Sequence, residues 1–348
     1  MKKILAIVVL LVCISGLSWT DVTFYGSARL GFWYNYSNQN WNMYESGVNA
    51  TRLMLDYHMQ GNSRFGAKFS HENMFGNVEL GISPSKVCLR HLYGKYTKGD
   101  WSFLIGQTNT GFTIYSNQAY GDDNCLIRYG LFYDGKNPQF KIAYKKRFYV
   151  MFIPPYEKDV TGLSGLESLI PKINVGYEYS RKKYYYAMSL GANINNYNKD
   201  FSQSPYLDKQ ILSYAVSLTG KYLLDSFEML AQFSYGSNVG NYGILTITPS
   251  EIVYKPDDNS FENTETIAGL FMIGSPDVAY AGIGYLRSCN PTWTEYDAAM
   301  SVFIQKQISL FKNFFIVPEV GMFDGMKDKD GAEQGRKFYG GMKAQANF

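Results

Sequence analysis

Polar and apolar residues alternate along most of this chain with a period of two. Over 22–36 the even positions read Val, Phe, Gly, Ala, Leu, Phe, Tyr, Tyr. The odd ones read Thr23, Tyr25, Ser27, Arg29, Gly31, Trp33, Asn35. A helix would repeat its apolar positions at spacings of three and four, so the segment predicts a strand with one apolar face. The pattern recurs over 172–180 (Ile173, Val175, Tyr177, Tyr179), 184–194, 227–235 and 296–304. At the C-terminus Phe338, Gly340, Met342, Ala344, Ala346 and Phe348 share a face, with Lys343, Gln345 and Asn347 between them.

Gly61-Asn62 has the composition of a two-residue hairpin turn. The parity around it argues otherwise. Thr51, Leu53, Leu55, Tyr57 and Met59 continue in phase as Phe65, Ala67 and Phe69, while Arg52, Asp56, His58 and Gln60 continue as Asn62, Arg64 and Lys68. A slip of one residue would invert every side chain, so unbroken phase predicts one long strand kinked at Gly61. Short connections then fall near 71–76, 98–100, 134–137, 181–183, 222–225, 274–277 and 307–312. Between them lie mostly longer ones at 37–49, 84–86, 109–124, 154–171, 195–210, 236–263, 288–294 and 324–335. Strict alternation of these two sets predicts sixteen strands, with both termini on the short-turn side.

Composition sharpens the picture. Aromatic residues make up 17% of the chain, yet its mean hydropathy is −0.22. That combination suits surfaces that are apolar on alternate residues only. Residues 1–20 carry Lys2 and Lys3, an apolar run over 4–14, and Gly16 and Ser18 at cleavage-site spacing, the form of a secretory signal peptide with processing after Ser18 or Thr20. The run is too short to span a bilayer as a helix. Net charge is +3, or +1 without the two lysines, which gives no general signal for nucleic acid. Cys13, Cys88, Cys125 and Cys289 have neither zinc-site nor framework spacing; a single Cys88–Cys125 bridge stays open.

Secretion signal, period-two strands, alternating short and long connections and abundant aromatics predict an all-β fold: a transmembrane antiparallel β-barrel of the bacterial outer membrane, over 21–348. In lipid every backbone N–H and C=O must pair within the protein, and a closed barrel achieves this with strands. The alternative is a secreted soluble β-protein. Sixteen strands leave a water-filled lumen, and its lining includes Arg29, Arg52, Arg64, Lys68, Arg90, Arg128, Lys141, Lys145 and Arg147. Of the histidines, His58 and Asp56 are two residues apart on one face, His71 falls in a predicted turn, and no hydrolase or phosphate-loop motif accompanies them. The acids of "MKDKDGAEQG" and "KPDDNS" fall in outer connections.

Four segments resemble the general trimeric porins of Gram-negative bacteria, in the order those proteins have them. "VTFYGSARLGF" is similar to their first strand, "SRFGAKFSHENMFGNVELGIS" to their arginine-glycine strand, turn and next strand, "LRHLYGKYTKGDWSFLIGQT" to the following hairpin, and "DNCLIRYGLFYDG" to the strand after the third loop. The resemblance covers the first 150 residues and the terminal Phe348; beyond that only the pattern matches. It implies a third outer connection, 106–124, folded into the pore with Asp122 and Asp123 as its carboxylates. It also implies a facing basic wall of Arg64, Arg90 and Arg128, with Arg29 as a fourth member. Opposed charges across a narrow gap set a transverse field that orients dipolar solutes. The family's Pro-Glu-Phe-Gly-Gly stretch is replaced by "GFTIYSNQAYGDDN", and Gln107 and Ser27 stand where basic residues are common. An excess of arginines over loop acids suggests weak anion preference. Implied further are a homotrimer, contact with bilayer and outer-leaflet lipid, passage of ions and small hydrophilic solutes, and Phe348 as the residue by which outer-membrane assembly machinery recognises the chain. No cofactor, metal or catalytic residue is expected. Two other readings remain: a substrate-specific channel and a structural or adhesive surface barrel.

Overall fold

A computed structural model describes residues 21–82, 86–114, 116–123, 126–157, 166–168, 170–199, 207–224, 226–255, 257–258 and 260–348. The predicted signal segment and Cys125 lie outside them; Cys88 and Cys289 are free thiols.

The strands are β1 (Asp21–Ser37), β2 (Arg52–Met59 continued as Ser63–His71), β3 (Met74–Ile82), β4 (Val87–Lys98), β5 (Trp101–Asn109), β6 (Lys136–Tyr144), β7 (Phe148–Ile153) and β8 (Leu166–Glu167 continued as Lys172–Arg181). There follow β9 (Tyr184–Lys199), β10 (Leu207–Leu223), β11 (Glu228–Ser237), β12 (Glu265–Gly274), β13 (Tyr280–Cys289), β14 (Asp297–Gln305 continued as Ile308–Phe311), β15 (Phe314–Asp324) and β16 (Arg336–Asn347). Each pairs antiparallel with the next, and β16 returns to β1 over Ser27↔Asn347 to Ser37↔Lys337, closing a barrel of 16 strands. Closure leaves no free sheet edge.

Each interruption in a strand has a local cause. Two extra residues of β2 stand opposite β1 between Leu30↔Met59 and Ser27↔Arg64. Gln60 N–H donates to the Arg29 carbonyl (2.9 Å) and Arg29 N–H to Ser63 Oγ (3.0 Å). An even insertion preserves parity, so the expected single strand kinked at Gly61 is what forms. In β14 the register across the gap is unchanged, Gln305↔Glu319 and Ile308↔Ile316. The gap faces Pro318, which has no N–H to donate.

Burial is inverted relative to a soluble protein. On β10 Ser213, Ser217 and Thr219 are buried while Leu212 and Leu218 are half exposed. Leu53, Phe24 and Ile105 likewise turn their side chains outward, 72%, 63% and 67% exposed. An apolar exterior around a polar interior is the arrangement lipid demands, and it excludes the soluble alternative.

The strand count agrees with the sequence, but two boundaries move. Residues 126–133, expected on the wall after the third loop, stay inside that loop. The stretch 138–153, expected as one strand, is the hairpin β6–β7. Its turn holds Lys145 and Lys146, at φ 52° and 55°. These displacements cancel in the total.

Candidate functional site: the pore

The described residues of 110–135, between β5 and β6, fold into the lumen and follow its inner wall. Gly111 fits where a Cβ would meet Tyr149, Asn174 and Ser189 of β7, β8 and β9. Farther on, Gln305 of β14 donates to the Asn117 carbonyl, and Gln118 donates to Tyr339 of β16 (2.6 Å). Gln60, carried inward by the bulge of β2, donates to the Ala119 carbonyl (2.7 Å). Two short helices follow, α2 (Tyr120–Asp123) and α3 (Leu126–Gly130). The chain then returns along β12, β13 and β14, where Leu126, Leu131 and Phe132 are fully buried.

Two buried carboxylates anchor the loop. Glu319 of β15 accepts the N–H groups of Ala119 (2.6 Å) and Tyr120 (3.0 Å) and the Tyr339 hydroxyl (2.9 Å). At the far end Asp134 pairs with Lys172 Nζ of β8 (3.0 Å) and accepts from Thr110. Lys172 also donates to the carbonyl of Tyr242 (3.1 Å), whose ring it covers. Burial, and then the charge of Asp134, push the Tyr242 hydroxyl well above the ordinary tyrosine range. Between the anchors Tyr120 stacks on Tyr339 (4.1 Å between centroids), and Phe323 and Trp33 pack around them. A loop held by a buried ion pair, by hydrogen bonds to a buried carboxylate and by ring stacking is a fixed part of the lumen.

On β1 to β4 the wall carries a charged cluster centred on Glu79, whose side chain is 5% exposed. Arg90 Nε lies 2.6 Å from Glu79, Arg64 3.8 Å and His91 Nε2 3.8 Å, and the Tyr25 hydroxyl donates to it at 3.0 Å. Adjacent residues of a strand normally face opposite ways. Here Glu79 pairs with His91 and Leu80 with Leu89, so Arg90 is an extra residue and both Arg90 and His91 reach one carboxylate. Gly66 leaves room for Tyr25, and Gly81 for the Arg90 stem. Arg29 joins the wall from β1, with Nε donating to Ser27 Oγ (3.2 Å).

The expected site residues therefore divide. Arg29, Arg64 and Arg90 come together. Arg128 does not: it lies exposed on α3, because the apolar residues around it bury themselves against the far wall instead of forming a strand. The backbone of Asp122 and Asp123 is in α2, and their side chains lie outside the described residues. Arg52 is at the outer end of β2, opposite Ser37, and Lys68 is near the inner mouth with Nζ 5.1 Å over the Tyr25 ring. Lys141 is in the lumen, 4.0 Å from Glu178 and 4.2 Å above Tyr149. Lys145 and Arg147 belong to the β6–β7 turn rather than to a strand, and Arg147 borders the lumen-side cavity that Lys141 and Glu178 also line. Glu79 and His91 are additions. Glu79 was readable as an inward position between Val78 and Leu80, and His91 shares the inward parity of Tyr93; only the bulge lets Arg90 face inward beside it.

Above the loop an outer chamber of about 400 Å³ is lined by Trp41, Tyr120, Arg128, Tyr129, Phe323 and Lys337. Below it an inner chamber of about 260 Å³ is lined by Asn117, Tyr280, Gln305 and Lys343. His58 Nδ1 lies 2.8 Å from Asp56 on β2, so that pair does touch. Asp328 of the acidic outer connection is engaged locally, accepting the N–H groups of Asp330 (2.9 Å) and Ala332 (2.8 Å). Among the described residues no three His, Cys, Asp or Glu side chains are grouped as metal ligands would be.

No protein-family model matches the chain, and no curated protein does. Solved structures do. The outer membrane channel DcaP of Acinetobacter baumannii superposes with a TM-score of 0.71 at 17% identity, over 94% of this chain and 97% of that one. The chain has the fold of the outer-membrane porins. An anion-selective porin from Comamonas acidovorans (TM-score 0.57, 10% identity, 94% of this chain and 99% of that) shares the porin fold. So does the trimer form of the outer membrane protein OmpT of Vibrio cholerae (TM-score 0.54, 16% identity, 94% and 99%).

Proposed function

We propose that this chain, exported by the signal peptide of residues 1–20, is an outer-membrane porin that passively conducts ions and small hydrophilic solutes without chemical change. The observation that carries this is the described part of the loop 110–135 held inside a closed 16-strand barrel whose wall also carries Arg29, Arg64 and Arg90. A polar solute there exchanges hydration for oriented charges, whereas an apolar one gains no compensation. Two arginines share one wall carboxylate, so the wall favours anions. A homotrimer is supported by the trimeric form of a protein with the same fold. The exposed Phe348 ring suits recognition by assembly machinery, and the apolar exterior meets lipid on both leaflets. Purified protein in planar bilayers should give stepwise conductance, with a reversal potential on the anion side in a salt gradient. Absence of steps would overturn the channel; a cation-side potential would overturn the selectivity.

The outer chamber favours a second reading, a channel selective for one solute class. Its aromatic walls and the cations Arg128 and Lys337 offer an apolar body and an anionic group a common seat. Saturable block of conductance by an aromatic carboxylate such as benzoate, absent with acetate, would select this reading.

A further inference from the structure

The lipid-facing wall is not uniform. Where β5 to β9 approach their inner turns it carries an apolar trough of about 470 Å³. Trp101 packs on Tyr144 and Phe148 on Tyr177, each pair 4.8 Å between centroids, and these rings form its rim beside the turns. Val150 and Val175, paired across the strands, form a lower floor because their side chains are short.

The turns bordering the trough are basic. They hold Lys98, then Lys145-Lys146-Arg147, then Arg181-Lys182-Lys183, against one acid, Asp100. The turn pairs Glu72-Asn73 and Lys312-Asn313, and the turn containing Asp277, carry no such cluster. Part of the charge is held toward the membrane side. Arg147 and Arg181 stack on the ring of Tyr179, at 5.1 and 5.6 Å, and Tyr179 shares its face with the outward Tyr177. Lys145 lies 5.2 Å from the Tyr144 ring. Cations fixed on interfacial rings stand at headgroup depth, directly beside a slot open to acyl chains.

We propose that this trough binds an anionic phospholipid of the inner leaflet, one acyl chain lying over Val150 and Val175 and the phosphate against the basic turns. The proposal rests on the outer-membrane reading, which puts the short turns in the periplasmic leaflet. It does not depend on conduction, so its failure is distinct from a failure of the porin reading. Each basic residue at a membrane surface is worth about 1 kcal/mol toward anionic lipid, or roughly fivefold in affinity.

Trp101 is 48% exposed on the trough rim, whereas Trp33 and Trp41 are buried in the lumen. The full barrel is reconstituted in phosphatidylcholine vesicles containing a minor fraction of brominated phosphatidylglycerol or of brominated phosphatidylcholine. The component of fluorescence removed by Trp101→Phe is then followed. Brominated phosphatidylglycerol should quench it with at least fivefold higher apparent affinity. That preference should fade at high salt and in a combined Lys146→Gln, Arg181→Gln, Lys182→Gln variant. Equal quenching by both lipids would overturn the proposal, as would a preference that survives both salt and neutralisation. Absence of quenching by either lipid, the result if a second copy of the chain covers the trough, would overturn it too. The salt comparison leaves the basic turns unaltered, so the test holds even if the neutralised variant does not assemble.

Discussion

On the porin reading, Glu79 sets how much of the basic wall a permeant ion senses. Its carboxylate lies within 3.8 Å of Arg64, Arg90 and His91 and is almost fully buried. Glu79→Gln keeps the shape and a hydrogen-bond acceptor for Tyr25 but removes the compensating charge. One unit charge at contact distance across water is worth about 1 kcal/mol. The anion-to-cation permeability ratio should therefore rise roughly fivefold, measured from reversal potentials in a potassium chloride gradient. An unchanged ratio would mean that ions do not pass this wall. Glu79 also marks the limit of reading the wall from sequence. Arg29, Arg64 and Glu79 occupy inward parities that alternation alone specifies. Arg90 and His91 are consecutive, and only a β-bulge lets both face the water; nothing in "LRHLYG" announces it.

The pore loop is seated by backbone contact as well as by charge. At Gly130 a Cβ would stand 2.5 Å from the Gly269 carbonyl oxygen and 2.7 Å from Gly284 Cα, both backbone atoms of the far wall. Gly130→Val should therefore lift α3 away while leaving the barrel ladder intact. Overpacking of this kind costs about 1–3 kcal/mol, enough to shift the balance of seated and released loop by roughly 5- to 150-fold. Single-channel records should show larger mean conductance and greater open-channel noise; records matching the parent would mean that α3 does not restrict the pore. The same region shows why two strand boundaries escaped the sequence. Leu126, Ile127, Leu131 and Phe132 have the apolar density of a wall strand, but they are apolar because the loop is buried against β12 to β14. The true turn of β6–β7 is made by two lysines in left-handed conformations, where Gly, Asn or Asp would have signalled it. The parity of β2, by contrast, survived its bulge and was readable through it.

At the scale of the whole barrel, Phe348 separates two roles that a chain end can combine. Its backbone closes the seam: Gly26 N–H donates to the Phe348 carbonyl (2.7 Å) and Phe348 N–H to the Gly26 carbonyl (3.1 Å). Its ring lies over Gly26, where a Cβ would be only 2.4 Å from it, and is otherwise 67% exposed. Two backbone hydrogen bonds contribute about 1–3 kcal/mol together, a small share of a seam that runs from Ser27 to Ser37. The seam therefore does not need the ring, and a recognition role for the ring predicts a particular ordering of variants. Phe348→Ala retains both hydrogen bonds yet should lower the amount of barrel in the outer membrane about as severely as deleting Phe348. Barrels of either variant that do form should conduct like the parent. Quantitative immunoblotting of outer-membrane fractions, with conductance of the purified barrels, measures both quantities. Normal membrane levels of Phe348→Ala beside a poorly assembled deletion would assign the terminal residue to seam closure and remove the recognition role.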